Sequence, residues 1–140
     1  MSELIVLDTN TVMALWLFED PRLVPLRTAI ETGAVHLACR ADAIEELRRV
    51  LAYRQFGVAA ERQRALLDAY LARVRMAPEP APEAPALPQC RDPDDQKFLE
   101  IARDAAAAAL LTRDKQLLRL ARHRLLRPLY RICTPDGFTP

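Results

Sequence analysis

Glycine, cysteine and histidine are all scarce in this chain, and each scarcity closes off a class of chemistry. The three glycines, Gly33, Gly57 and Gly137, stand far apart, so neither a phosphate-cradling P-loop nor a dinucleotide fingerprint can form, which disfavours nucleotide-cofactor enzymes. The three cysteines, Cys39, Cys90 and Cys133, are odd in number and hold no Cys-x-x-Cys pair, which argues against a disulfide framework and a zinc knuckle. Reduced thiols are the simple expectation. His36 reads as a strand residue and His123 as a surface one, and neither has a partner at zinc-ligand spacing. A Gly-x-Ser-x-Gly elbow and a credible Cys–His pair are missing as well.

An excess of one charge is absent too. Twenty Lys+Arg against 19 Asp+Glu leave a formal net charge of +1, so any contact with nucleic acid must be local. No apolar run is long enough to span a bilayer, and Met1-Ser2-Glu3 offers no basic leader or cleavage site, so a soluble cytoplasmic protein with no membrane partner is expected. What the chain does have is core material. At 140 residues and 51% hydrophobic it suffices for a single domain spanning 1–140.

Leu4-Ile5-Val6-Leu7 is a short apolar run stopped at Asp8, the pattern of a strand buried on both faces. A helix follows from Thr9 to about Phe18, capped by Thr9 or Asn10, then a second from about Arg22 to Thr32 ended by Gly33. Residues 34–39 read as a strand, and Ile44, Leu47, Val50 and Leu51 recur at helical spacing. A further amphipathic helix is predicted over 59–76. The proline-rich stretch 77–91 blocks helix and central strand alike and reads as a surface crossing within the domain, with no strand of its own. Asp92-Pro93 starts the next helix as cap and first position. A strand over 106–112 follows, although Ala105 to Ala108 could equally prolong the helix. Last come a helix from Lys115 to about Arg124 and a short edge strand over 131–134. Strands alternating with helices imply an α/β fold, a three-layer α/β/α arrangement with a mainly parallel central sheet. Such sheets bind ligands beyond the carboxyl ends of their strands.

Acids collect at that edge. Asp8 directly follows the first strand, and Asp114 repeats the layout after Leu110-Leu111-Thr112. Taken singly, Asp92 and Asp114 could be helix caps, Asp95 sits at a third helical position that favours negative charge anyway, and Glu46 could be a solvated partner of Arg48 or Arg49. Taken together, carboxylates from distant segments would repel and take up protons unless a cation compensated them. Oxygen-only donors select a hard ion, Mg²⁺ or Mn²⁺. Residues 113–131 also carry seven positive side chains against the single acid Asp114. Arg113, Lys115, Arg119 and Arg122 there form either a solvated face or a track for a phosphate backbone.

Across Leu4 to Asn10, Ile44-Glu45-Glu46-Leu47, Cys90 to Leu99 and Leu111-Thr112-Arg113-Asp114, the chain resembles the PIN domain family, and within it the VapC-like toxins of bacterial toxin–antitoxin pairs. The likeness extends to Ile132-Cys133-Thr134-Pro135 and Phe138. It implies a metal-dependent endoribonuclease whose Asp8, Glu46, Asp95 and Asp114 bind Mg²⁺ or Mn²⁺ and act on RNA, a cognate antitoxin, and a homodimer. Glu46 is preferred over Glu45 because it directly precedes Leu47. Asn10 and Thr112 match polar positions kept beside the acids, and Asp92 and Thr9 are expected as further supports. Where many relatives carry a glycine before the fourth-motif strand, this chain has Asp104 followed by alanines. Two other classes compete: a PIN-fold module that binds RNA or protein without turnover, and a phosphatase-like or phospho-acceptor domain. The latter would explain Asp8 but not the Asp92 to Asp95 cluster.

Overall fold

The computed structural model describes residues 3–140, so Met1 and Ser2 of the expected N-terminal reading lie outside the described residues. Five strands form one parallel sheet in the order β3-β2-β1-β4-β5: β1 (Glu3–Leu7), β2 (Val35–Cys39), β3 (Val74–Met76), β4 (Ala109–Leu111) and β5 (Arg131–Cys133). Around it pack α1 (Thr9–Trp16), α2 (Val24–Glu31), α3 (Ala41–Leu51), α4 (Ala60–Leu71), α5 (Gln96–Asp104) and the short α6 (Lys115–Leu118). This is the expected three-layer α/β/α class, with every strand pair parallel. Among the described residues no helix is long and apolar enough to cross a membrane.

The apolar strands explain the packing. Ile5, Leu37, Ala109, Leu110 and Leu111 are fully buried, and Leu99, Ile101 and Ala102 of α5 cover them with no exposed surface of their own. Chain order then fixes where a ligand can sit. From β1 the chain winds outward through β2 to β3, crosses back, and continues through β4 to β5 on the other side of β1. Winding reverses between β1 and β4, and the strand ends diverge there to leave a crevice at their carboxyl edge.

Three expectations need correction. The helix predicted over 59–76 stops at Leu71, and Val74–Met76 turns into edge strand β3, paired with Leu37–Cys39. Its stripe was weak: only Tyr70 of α4 is buried, so Val74 fits a sheet edge as well as it fits a helical repeat. The last helix is α-helical only to Leu118 and tightens into a 3-10 turn over Arg119–Arg122, rather than running on to Arg124.

The strand predicted over 106–112 shrinks to Ala109–Leu111, because the alanines before it close α5. Ala106 N–H donates to Arg103 O at 3.1 Å and Ala107 N–H to Ala102 O at 3.0 Å, the paired bonds of a Schellman stop. That stop forces Ala106 to φ +52°, where a Cβ crowds the following carbonyl and glycine has no such penalty. Ala106 thus holds a backbone conformation that glycine adopts without penalty. Ala106→Gly is expected to raise the unfolding free energy by about 0.5–1 kcal/mol, the strain relieved exceeding the entropy that glycine loses. Urea denaturation checks this, and a variant less stable than the parent would contradict it.

Candidate active site

Asp8 ends β1 and starts α1, so it, and not Thr9 or Asn10, is the N-cap of that helix. Its Oδ1 accepts from Thr11 N at 2.9 Å and Thr11 Oγ1 at 2.6 Å, and its Oδ2 accepts from Thr112 Oγ1 at 2.5 Å. Thr112 is fully buried at the end of β4, and its hydroxyl also accepts from Asp114 N at 2.9 Å. One threonine therefore orients the acids of two neighbouring strands. Burial lifts the Asp8 carboxyl above its ordinary range, the hydrogen bonds from Thr11 and Thr112 oppose that lift, and the charge of Asp114 adds to it.

Asp114 caps α6 through a 2.7 Å bond from Gln116 N. Asp92 caps the 3-10 turn Pro93–Asp95 that leads into α5, accepting from Asp94 N at 2.9 Å, with proline at the first position as expected. Asp95 closes that turn and faces the other acids. Burial first, then the charges of Asp114, Asp92, Asp8 and Glu46, push its carboxyl up to about 6. The same field acts on Cys90, whose thiol is raised to about 11 by burial first and then by Asp95, Asp114, Asp92 and Glu100.

Glu46 points inward from the middle of α3, whereas Glu45 turns outward and pairs with Arg48. Neither of the arginines expected as Glu46 partners reaches it. Its Oε1 accepts from Thr9 Oγ1, and its Oε2 accepts from Lys97 Nζ at 2.8 Å. Sequence reasoning passed over two residues here. Neither Lys97 nor Thr11 is assigned a role from the sequence. The only signal for Thr11 is its i+3 spacing from Asp8, which suits a cap.

Asp8, Glu46, Asp95 and Asp114 all line one crevice of about 250 Å³, together with Thr9, Asn10, Asp92, Asp94, Val50 and Phe98. Larger clefts, about 390 Å³ between α3 and α4 and about 610 Å³ beside the proline-rich crossing, gather no such set of acids. Of the basic residues singled out, Arg113 is held by Asp20 at 2.9 Å and Asp136 at 3.8 Å, while Lys115, Arg119 and Arg122 are exposed.

A hard divalent ion suits this donor set, which is all oxygen and whose Asp8 and Asp95 carboxyls are raised by burial first and by neighbouring acids second. As they stand, no three acid, histidine or cysteine side chains among the described residues converge closely enough to hold one. Three of the four carboxylates are turned to partners of their own: Asp8 to the two threonines, Glu46 to Thr9 and Lys97, Asp114 to Gln116. Ion binding thus requires side-chain rotation, most of all at Glu46.

The lifted carboxyl of Asp95 carries a sign for stability. A carboxyl raised by folding contributes stability below its unfolded value of 3.8 and loses that contribution as pH rises through its folded value of about 6. In metal-free protein, the stability of the parent relative to Asp95→Asn is therefore expected to fall between about pH 4 and pH 6. Urea melts in chelator across that range read the difference, and a flat or rising profile would contradict it.

The sequence model of one family, described as PIN domain, matches residues 4–116, a span that takes in Asp8, Glu46, Asp95 and Asp114. No curated protein matches the chain significantly. Domains of this kind are in general nucleases, and the nucleases among them usually use divalent metal ions. With that match over most of its length and the parallel α/β/α architecture, this chain belongs to the PIN domain family.

Proposed function

We propose that this PIN domain, one unit over residues 1–140, is a Mg²⁺- or Mn²⁺-dependent endoribonuclease and the toxin of a VapC-like toxin–antitoxin pair acting in the cytoplasm. One observation carries the reading: four carboxylates from separate segments of the chain line a single crevice where the sheet reverses its winding. Asp8, Glu46, Asp95 and Asp114 would hold the ion. When bound, such an ion supplies Lewis acidity for hydrolysis of a phosphodiester by water.

The chain's own part is placement and charge. Thr11 and Thr112 fix both oxygens of Asp8, so that carboxylate presents one orientation. Asp95, its proton affinity raised by burial and then by its acidic neighbours, is a carboxylate that gains from a cation. Unrelieved, the acid crevice repels RNA. The exposed Lys115, Arg119 and Arg122, next in the chain to Asp114, offset this by attracting the phosphate backbone. Arg113, tied to Asp20 and Asp136, steadies the loop instead. By the likeness to VapC-like toxins, the partners are a small antitoxin and a second copy of the chain.

A binding-only module is the second reading, favoured by the ties that Thr9 and Lys97 make to Glu46. Two measurements separate the readings. Purified protein is expected to cleave single-stranded RNA only with Mg²⁺ or Mn²⁺. Asp8→Asn should lose more than about a hundredfold, beyond the 10- to 100-fold typical of a supporting residue such as Thr112. Asparagine caps a helix about as well as aspartate, so α1 keeps its start and the loss reports on charge. Equal cleavage by both proteins would reject the assignment. Mn²⁺ titration should also raise the melting midpoint, by about 2.7 kcal/mol of linkage at a hundredfold excess over the dissociation constant. An unmoved midpoint would favour the module.

A further inference from the structure

Lys97 is the one cation that reaches into the acid crevice through a salt bridge among the described residues. A lysine on a surface helix ordinarily leaves its ammonium in water. Here the side chain is only 13% exposed. Its Nζ lies 2.8 Å from Glu46 Oε2, donates also to the carbonyl of Asp94, and sits 5.0 Å from the centre of the Phe98 ring. Three separate contacts hold the charged tip. Asp8, Asp95 and Asp114 have no salt-bridge partner among the described residues, so the compensation falls on Glu46 alone.

We infer that Lys97 is a resident counter-ion whose ammonium competes with a divalent cation for Glu46, and that it thereby sets how much metal is needed to load the site. This rests on reading the crevice as a metal site. Glu46 has both oxygens engaged, Oε1 by Thr9 and Oε2 by Lys97, so in joining Asp8, Asp95 and Asp114 it either releases the ammonium or shares its carboxylate between ammonium and ion. The positive charge then either remains close by, where it repels a dication, or moves to water and gives up its contacts with Asp94 and Phe98. Both routes weaken metal binding. The return is a metal-free fold in which one of the four acids is neutralised. Lys97 is thus a positioning residue acting through Glu46, not a group that handles substrate.

The test uses the full chain, stripped of metal, at about pH 8, with Mn²⁺ titrated calorimetrically and melting midpoints read in chelator. Lys97→Met is expected to bind Mn²⁺ more tightly, on the order of tenfold, while melting at a lower temperature without metal. Lys97→Arg keeps the charge and should stay near the parent on both readouts. In a Glu46→Gln background, Lys97→Met should lower the metal-free midpoint by less than it does in the parent. A residue that only supports the fold would not raise metal affinity when removed. If Lys97→Met does not fold, Lys97→Gln takes its place in the same measurements. Unchanged or weaker Mn²⁺ binding in the uncharged variant would overturn the inference. Failure of both parent and variant to bind Mn²⁺ would overturn it together with the metal-site reading. Intact Mn²⁺ binding without RNA cleavage would strike the nuclease reading alone, leaving the affinities to decide on Lys97.

Discussion

The hydrogen bond from Thr112 to Asp8 spans 104 residues of sequence and joins the ends of β1 and β4, and the geometry of the crevice depends on it. The same hydroxyl receives the amide of Asp114, so displacing Thr112 would remove one tie from each of two of the four acids. The arrangement is compact because β1 and β4 are adjacent, with Leu7 in register with Leu111, and because each strand runs straight into a helix capped by its terminal acid. Each aspartate therefore serves twice. One oxygen starts a helix, which fixes the side chain, and the fixed side chain is what a ligand would meet.

Around this anchor the electrostatics are lopsided. The crevice collects acids from four segments, and only Glu46 has a charged partner there, so the surplus adds to the burial that raises the proton affinity of Asp8, Asp95 and the thiol of Cys90. Positive charge is plentiful in the chain, but much of it is spoken for elsewhere. Arg40 bridges Asp42 and Glu100, Arg103 binds Asp104, and Arg113 binds Asp20. A near-neutral sequence thus conceals a negative crevice beside an exposed basic stretch.

Strand-then-acid runs made the sheet and two acids legible in the sequence. Leu4 to Leu7 and Ala109 to Leu111 are short apolar runs that read as buried strands, and connectivity alone puts the acids that follow them at one edge. Asp95 and Glu46 were legible only through motif likeness, since a helix-start aspartate and a charged residue on an amphipathic helix have ordinary explanations. What stayed hidden depends on tertiary placement. Strand β3 is three residues at an edge with Met76 more than half exposed, too little pattern to outweigh a helical stripe. The left-handed Ala106 is set by how α5 must end before β4, which no local preference of alanine announces. Lys97 meets Glu46 across 51 positions, and no spacing rule connects them.

The proline-rich crossing is pinned beside the places where precision matters. At its start Ala77 N bonds Cys39 O, at its end Gln96 binds both Cys90 N and Pro88 O, and Arg103 holds Pro85 O between them. Asp92 to Asp95 therefore take their position from the Gln96 clamp and not from the length of chain arriving from β3. The segment from Pro78 to Ala84 is mechanically decoupled from the acids, free to lengthen, shorten or change composition while the crevice beyond it keeps its shape.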